Sequence, residues 1–232
     1  MHPQALMIFA AGFGTRMGAL TAQKPKPLIP VAGRPLIDHA LDLAQAAGVA
    51  RIVVNTHYLA DQMSDHLSGR PDVQISHEAP EILETGGGLR RAVPMLGTGA
   101  VFTLNSDAIW TGPNPLSHLA RAWDPARMDG LLLLIARDRA RGHMGAGDFI
   151  MDADGRLARG GGAVYSGAQI LRTEMLADIP EDAFSVNRLW DRMLAEGRLY
   201  GVLHPGGWCD VGHPEGLALA EDMLAGGDDA DH

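Results

Sequence analysis

A short apolar run, Leu6 to Ala10, breaks into a turn of small residues, Ala10-Ala11-Gly12-Phe13-Gly14-Thr15-Arg16. The run reads as a buried strand, and the turn sets what such a strand can lead into. Small residues leave backbone N–H groups unobstructed, because no Cβ stands over them, and so admit a polyphosphate. Arg16 ends the turn. Ten residues further on, Lys26 stands in a proline-punctuated stretch and brings mobile positive charge to the same phosphates. Glycines alone would be weak evidence, whereas strand, turn, arginine and lysine together form a specific combination.

Strand and helix signals alternate along the rest of the chain, which predicts βα units and a mainly parallel sheet. Helices are expected over 35–47, 59–67, 115–123, 185–196 and 213–224, and strands over 51–55, 73–76, 100–104, 131–136 and 199–203. A further helix is expected over 88–96, entered through the triplet Gly86-Gly87-Gly88. Residues 147–171 differ: short strand-like pieces flank an Asp152-Ala153-Asp154-Gly155 turn, which predicts an antiparallel excursion over one side of the site. No linker divides the chain. One domain over 1–225 is expected, followed by an acidic, glycine-bearing tail at 226–232 that frays.

Composition narrows the function classes. Apolar residues make up 46% of 232, as in globular chains, and the net charge of −9 argues against nucleic acid as a partner. Cys209 is the only cysteine, so no intrachain disulfide is possible. The first apolar run is too short for a signal segment or a bilayer span, which predicts a cytoplasmic protein without a membrane partner. Oligomeric state is not legible.

The first two pieces of sequence, AAGFGTRM and KPLIPV, resemble the signature of the sugar-1-phosphate nucleotidyltransferases, (A/G)-A-G-x-G-T-R-(L/M) followed by K-x-L-(I/L)-P-(V/I). Later segments match in order: PEILETGGGL at 80–89, NSD at 105–107, GAGDF at 145–149 and WCDVG at 208–212. Their wording is closest to the branch that uridylylates N-acetylmuramic acid 1-phosphate in peptidoglycan recycling. The resemblance implies an α/β, Rossmann-like three-layer fold with a mainly parallel sheet, and UTP and a sugar 1-phosphate as partners. It implies Mg²⁺ as cofactor, held by Asp107 and Asp210. Asp107 follows the apolar strand at 100–104, and ligands bind at carboxyl ends of strands in open α/β sheets. Mg²⁺ commonly takes one or two carboxylates together with phosphates and water. An isolated Asp at a strand end is more often a turn former or cap.

The resemblance further implies roles for other residues. Ala11, Gly12, Gly14, Thr15, Arg16, Lys26 and Asn105 would face the nucleotide, with Arg16, Lys26 and Asp107 at the reacting centre. Thr85 and Gly86 would edge the base, and Gly147, Asp148, Gly167 and Asn187 the sugar. For Thr85, Asp148 and Asn187 an ordinary cap or surface position is the competing reading. The chain departs from the family pattern at Phe13, at Gly18-Ala19 and at Arg159 to Ala163. Guanylyl- and thymidylyltransferases of the same fold, and a non-catalytic nucleotide-sugar sensor, are the alternatives. A dinucleotide-binding oxidoreductase is disfavoured, because Met17 stands where the third glycine of G-x-G-x-x-G would fall.

Overall fold

A computed structural model describes residues 2–227. Its centre is a seven-stranded sheet. In chain order the strands of the molecule are β1 (Ala5–Phe9), β2 (Pro30–Val31), β3 (Arg34–Pro35), β4 (Arg51–Thr56), β5 (Val73–His77), β6 (Ala100–Asn105), β7 (Ala108–Thr111), β8 (Gly130–Ile135), β9 (Ala140–Arg141), β10 (Phe149–Met151), β11 (Leu157–Arg159), β12 (Val164–Arg172), β13 (Leu199–Leu203) and β14 (Gly207–Asp210). The helices are α1 (Leu36–Ala46), α2 (Ala60–Leu67), α3 (Glu84–Leu96), α4 (Pro115–Ala122), α5 (Asn187–Ala195) and α6 (Pro214–Gly227).

The sheet order is β13-β8-β12-β6-β1-β4-β5, with β12 antiparallel to both β8 and β6 and the other pairs parallel. Alternation along each strand feeds two cores. Leu6 and Ile8 of β1 pack with Ile37 and Leu41 of α1 and Met63 of α2, while Met7 packs with Leu89 and Ala92 of α3. Helices therefore cover both faces, and the strands can be apolar throughout. β8 shows this fully: all six of its residues are buried. The three-layer, mainly parallel reading of the sequence agrees with this architecture.

Three expectations are corrected. The excursion at 147–171 is smaller than its sequence suggests: β10 and β11 pair as a hairpin, but Val164 to Leu171 belongs to the central sheet. Its apolar side chains are buried on both faces there, which short alternating pieces do not announce. Second, the glycine triplet lies inside α3 rather than ahead of it, since the helix begins at Glu84. Third, α6 runs through 226 and 227, which the sequence assigned to the tail; residues 228–232 lie outside the described residues.

A small second sheet, β7-β14-β9, stands beside the carboxyl end of the main one. Its apolar side packs Ile109, Cys209 and Val211 with Met17, Ile29 and Val31 and with Ala220 and Met223 of α6. It fastens the chain after β6 to a segment a hundred residues later. No described helix is long and apolar enough to cross a membrane.

Candidate active site

The turn after β1 is held from below. The Ala10 amide donates to Asn55 Oδ1 on β4 at 2.7 Å, and Thr21 Oγ1 donates to the Gly14 carbonyl at 3.0 Å. Gly14 has a φ of 64°, and a Cβ there would lie 2.9 Å from both Lys26 Cβ and Thr21 Cγ2. Glycine at this position thus lets the Lys26 segment pass directly beneath the turn. A 3-10 helix from Thr15 to Thr21 follows, leaving Arg16 exposed at the rim.

Lys26 is nearly buried and its Nζ contacts Asp107 Oδ2 at 2.5 Å. Asp107 sits in the turn between β6 and β7, two residues past Asn105. Ser106 pins that turn to the end of β1, its Oγ donating to the Phe9 carbonyl at 2.7 Å. Asp210 arrives from the far end of the chain. In the β7–β14 ladder Asp210 is opposite Ala108, and the Val211 amide donates to the Asp107 carbonyl at 2.9 Å. Strand pairing alone places the two aspartates side by side.

Burial, and next the Asp107 charge, push the Asp210 carboxyl above its ordinary value, while Lys26, Arg16 and His143 oppose the rise. The two carboxylates thus share the hollow with Lys26, which pairs with Asp107, and with Arg16 at its edge. The neighbouring Cys209 thiol is pushed up to about 11, mainly by burial, so it is no nucleophile near neutral pH.

Three hollows meet at Asn105. One of about 280 Å³ lies over the glycine turn and reaches Ala11, Gly12, Gly14, Thr15, Arg16, Lys26, Asn55, Glu78, Ile82, Glu84, Thr85, Asn105 and Asp107. A second, about 290 Å³, lies against α5 and is lined by Thr85, Asn105, Asp148, Arg159, Tyr165, Gln169, Ser185, Asn187 and Trp190. The third, about 130 Å³, adjoins both and holds Arg16, Asn105, Asp107, His143, Tyr165, Gly167, Trp208 and Asp210. Glu84 at the edge of the first hollow has a φ of 58°, unusual for a side-chain-bearing residue.

The sequence of residues 6–214 matches the profile of the MobA-like NTP transferase domain, which is most of the chain. The chain belongs to this family. Two curated relatives reinforce the assignment. An N-acetylmuramate alpha-1-phosphate uridylyltransferase from Caulobacter vibrioides is 43% identical over 96% of this chain and 98% of its own length. One of the same name from Neisseria meningitidis serogroup B is 34% identical, covering 89% of this chain and 92% of its own. Among solved structures, HddC from Yersinia pseudotuberculosis shares the fold, with a TM-score of 0.77 at 23% identity, covering 97% of this chain and all of that one. The enzyme is thus a nucleotidyltransferase with the fold of the nucleotide-diphospho-sugar transferases.

In this NTP transferase the turn and metal candidates converge, whereas several base and sugar candidates are placed otherwise. Gly86 is buried: its amide donates to the Phe184 carbonyl at 2.8 Å, so it has no free donor for a base. The triplet is needed for packing. A Cβ on Gly86 would strike the Phe184 ring, one on Gly87 the Asp182 carbonyl, and one on Gly88 would fall 2.5 Å from Glu78 Oε1. Gly147 lies under the Gly162 carbonyl, away from all three hollows. Gly167, with φ 89°, borders the aspartate hollow and abuts Asn105 instead of the hollow against α5. Thr85 touches two hollows, yet its Oγ1 accepts the Val186 amide at 2.9 Å. Asp148 Oδ2 accepts the Tyr165 amide at 2.8 Å and Asn187 Nδ2 donates to Ser185 Oγ at 2.8 Å, so both reach their hollow already partnered.

Sequence reasoning passed over His143, Glu78 and Asn55. His143 lies in a run that looks like loop, and no motif spacing marks it. Its Nε2 is buried without a partner at the aspartate hollow. Arg159, noted only as a departure, stacks at 5.0 Å on the Phe149 ring and 5.5 Å on the Trp190 ring while pairing with Asp191.

Proposed function

We propose that the chain is a single-domain cytoplasmic enzyme that transfers a uridylyl group from UTP to N-acetylmuramic acid α-1-phosphate, in recycling of cell-wall sugar. The observation that carries the reading is the meeting of three hollows at Asn105, with Lys26 and the two aspartates at the junction. That layout has room for a nucleotide, a sugar and the phosphates between them. The choice of uracil and of this sugar is supported by the relatives from Caulobacter and Neisseria.

A sugar phosphate oxygen attacks the α-phosphorus of UTP. The new O–P bond forms as the bond to the β-phosphate bridging oxygen breaks, and pyrophosphate departs with the electron pair. A phosphate monoester has a second pKa of about 6, so the nucleophile is already anionic near neutral pH and no general base is required. The protein's task is to hold two anions together and offset their charge. The turn amides at Ala11, Gly12, Gly14 and Thr15 face the β- and γ-phosphates, and Arg16 steadies departing pyrophosphate. Lys26 touches the phosphates at the reacting centre. Asp148 and Asn187 offer hydroxyl partners on the sugar side.

Asp107 and Asp210 suit Mg²⁺, since both are hard oxygen donors facing one hollow. Among the described residues no set of three or more His, Cys, Asp or Glu gathers to hold a metal, so substrate phosphates and water would complete the shell. When bound, Mg²⁺ screens phosphate charge and polarises the P–O bonds.

The test is pyrophosphate release with Mg²⁺, crossing UTP, GTP, dTTP and CTP with N-acetylmuramic acid, N-acetylglucosamine and mannose 1-phosphates. Turnover with UTP and the first sugar alone is the expected result. Preference for another pair moves the substrate assignment, and binding without release points to a sensor.

A further inference from the structure

Glu78 has no solvent exposure at all, and no cation pairs with its carboxylate among the described residues. A buried, unpaired carboxylate is costly and needs full hydrogen bonding to persist. Its Oε1 accepts from Asn55 Nδ2 at 2.7 Å and its Oε2 accepts the Leu83 amide at 2.7 Å. Asn55, also buried, uses its Oδ1 to accept the Ala10 amide. A continuous chain of three hydrogen bonds therefore spans from the glycine turn to the residue that precedes α3, beneath the hollow over the turn. Gly88 clears its path, since a Cβ there would lie 2.5 Å from Glu78 Oε1 and 3.1 Å from Asn55 Nδ2.

The polarity of this chain is fixed at both ends. The Ala10 and Leu83 amides can only donate, so each outer end must present an oxygen. Between them one donor has to meet one acceptor. An amide and a carboxylate satisfy that requirement; two amides leave N–H facing N–H, and two carboxylates leave oxygen facing oxygen.

We propose that Asn55 and Glu78 are a polarised strut that sets the spacing between the phosphate-binding turn and the base-side segment 82–85, and through it the affinity for the nucleoside triphosphate. They are positioning residues. The functional part rests on the reading of the hollow over the turn as the nucleotide site.

Polarity supplies a test that packing alone would not pass. Exchanging the two chemistries, in Asn55→Asp with Glu78→Gln, keeps shape and total charge and reverses only the middle bond. In that double variant the carboxylate at position 55 takes the Ala10 amide and accepts from the side-chain amide at position 78, whose oxygen takes the Leu83 amide. Steady-state kinetics on the full chain would compare N55D, E78Q and the double variant. Each single change should raise KM for UTP about tenfold with kcat altered less than about threefold, and the double variant should return to within about threefold of the unmodified protein. Penalties that multiply in the double variant overturn the strut, as do single variants with unchanged KM. If a single variant fails to fold, a folded and active double variant still supports the proposal, and a double variant that fails as well overturns it. Hydrogen exchange at the Ala10 and Leu83 amides in ligand-free protein reads the strut without any reaction. Slow exchange in the unmodified and double forms, with fast exchange in the singles, is expected. Uniform exchange across the four forms overturns it. Absence of pyrophosphate release from the unmodified protein would instead refute the functional reading, and with it the strut's role in affinity, whatever the exchange shows.

Discussion

On the side of the glycine turn, the rim of the sheet is shaped by backbone. Ala10, Gly14, Phe9 and Asp107 are all fixed through main-chain amides or carbonyls, and Lys26 enters because Gly14 leaves space for it. Against α5 the rim is shaped by side chains. Trp190 Nε1 donates to Gln169 Oε1 at 2.8 Å, and Gln169 Nε2 donates to Thr103 Oγ1 at 2.9 Å. Tyr165 sits edge-on to Trp190, and Arg159 lies over Phe149 and Trp190. A backbone-built surface suits a group every substrate shares, the phosphates. A surface built from exchangeable side chains suits the part that varies, which on the proposed reading is the sugar.

Lys26→Ala should break the comparison hardest. It removes the cation paired with Asp107 and leaves Arg16 alone against the two aspartates, and kcat is expected to fall about 10³-fold with the circular dichroism spectrum unchanged. Near-normal turnover would remove Lys26 from the chemistry. Asp210→Asn should come next, raising the Mg²⁺ concentration needed for half-maximal rate by at least about tenfold while UTP binding without metal is little altered. An unchanged Mg²⁺ requirement would take Asp210 out of the metal site.

Those two aspartates, and their sharing of one site, were legible only through the family resemblance, since each alone reads as a turn former. Local sequence could not give their proximity, which depends on β7 pairing with β14 across some hundred residues. The same holds for ETGGG. Composition argues for a loop, as glycine costs about 1 kcal/mol relative to alanine in a helix interior. The compensating contacts come from Asp182 and Phe184, far along the chain. The alternation of strands and helices was readable because apolar periodicity is local, whereas β12 escaped placement in the sheet because its neighbours are not its sequence neighbours. Glu78 and Asn55 carry no motif at all, and only their burial reveals them.

Gly87→Ala gives a smaller, diagnostic effect. Helix propensity would gain, yet the new methyl meets the Asp182 carbonyl, so the net result should be a loss of about 1–3 kcal/mol in denaturant unfolding. A stabilised variant would mean that the contact yields easily. Asn187→Ala should do least: its amide is already engaged by Ser185, and a rise in sugar phosphate KM of about threefold or less is expected, with UTP kinetics unmoved. A loss of a hundredfold would make the side-chain wall as exacting as the backbone one.

The segment 179–186 is clipped along α3: Arg90 donates to the Ile179 and Glu181 carbonyls, Gly86 and Gly87 donate to Phe184, and Val186 donates to Thr85. One clip thus carries residues of both hollows, with Thr85 shared between them and Ser185 to Asn187 in the one against α5. Any ligand that tightens it on one side prepares the other, and binding linkage requires that favour to be returned in equal measure. On the proposed reading the two substrates share this clip, so a campaign to change the sugar should track the dissociation constant of the nucleotide at every round.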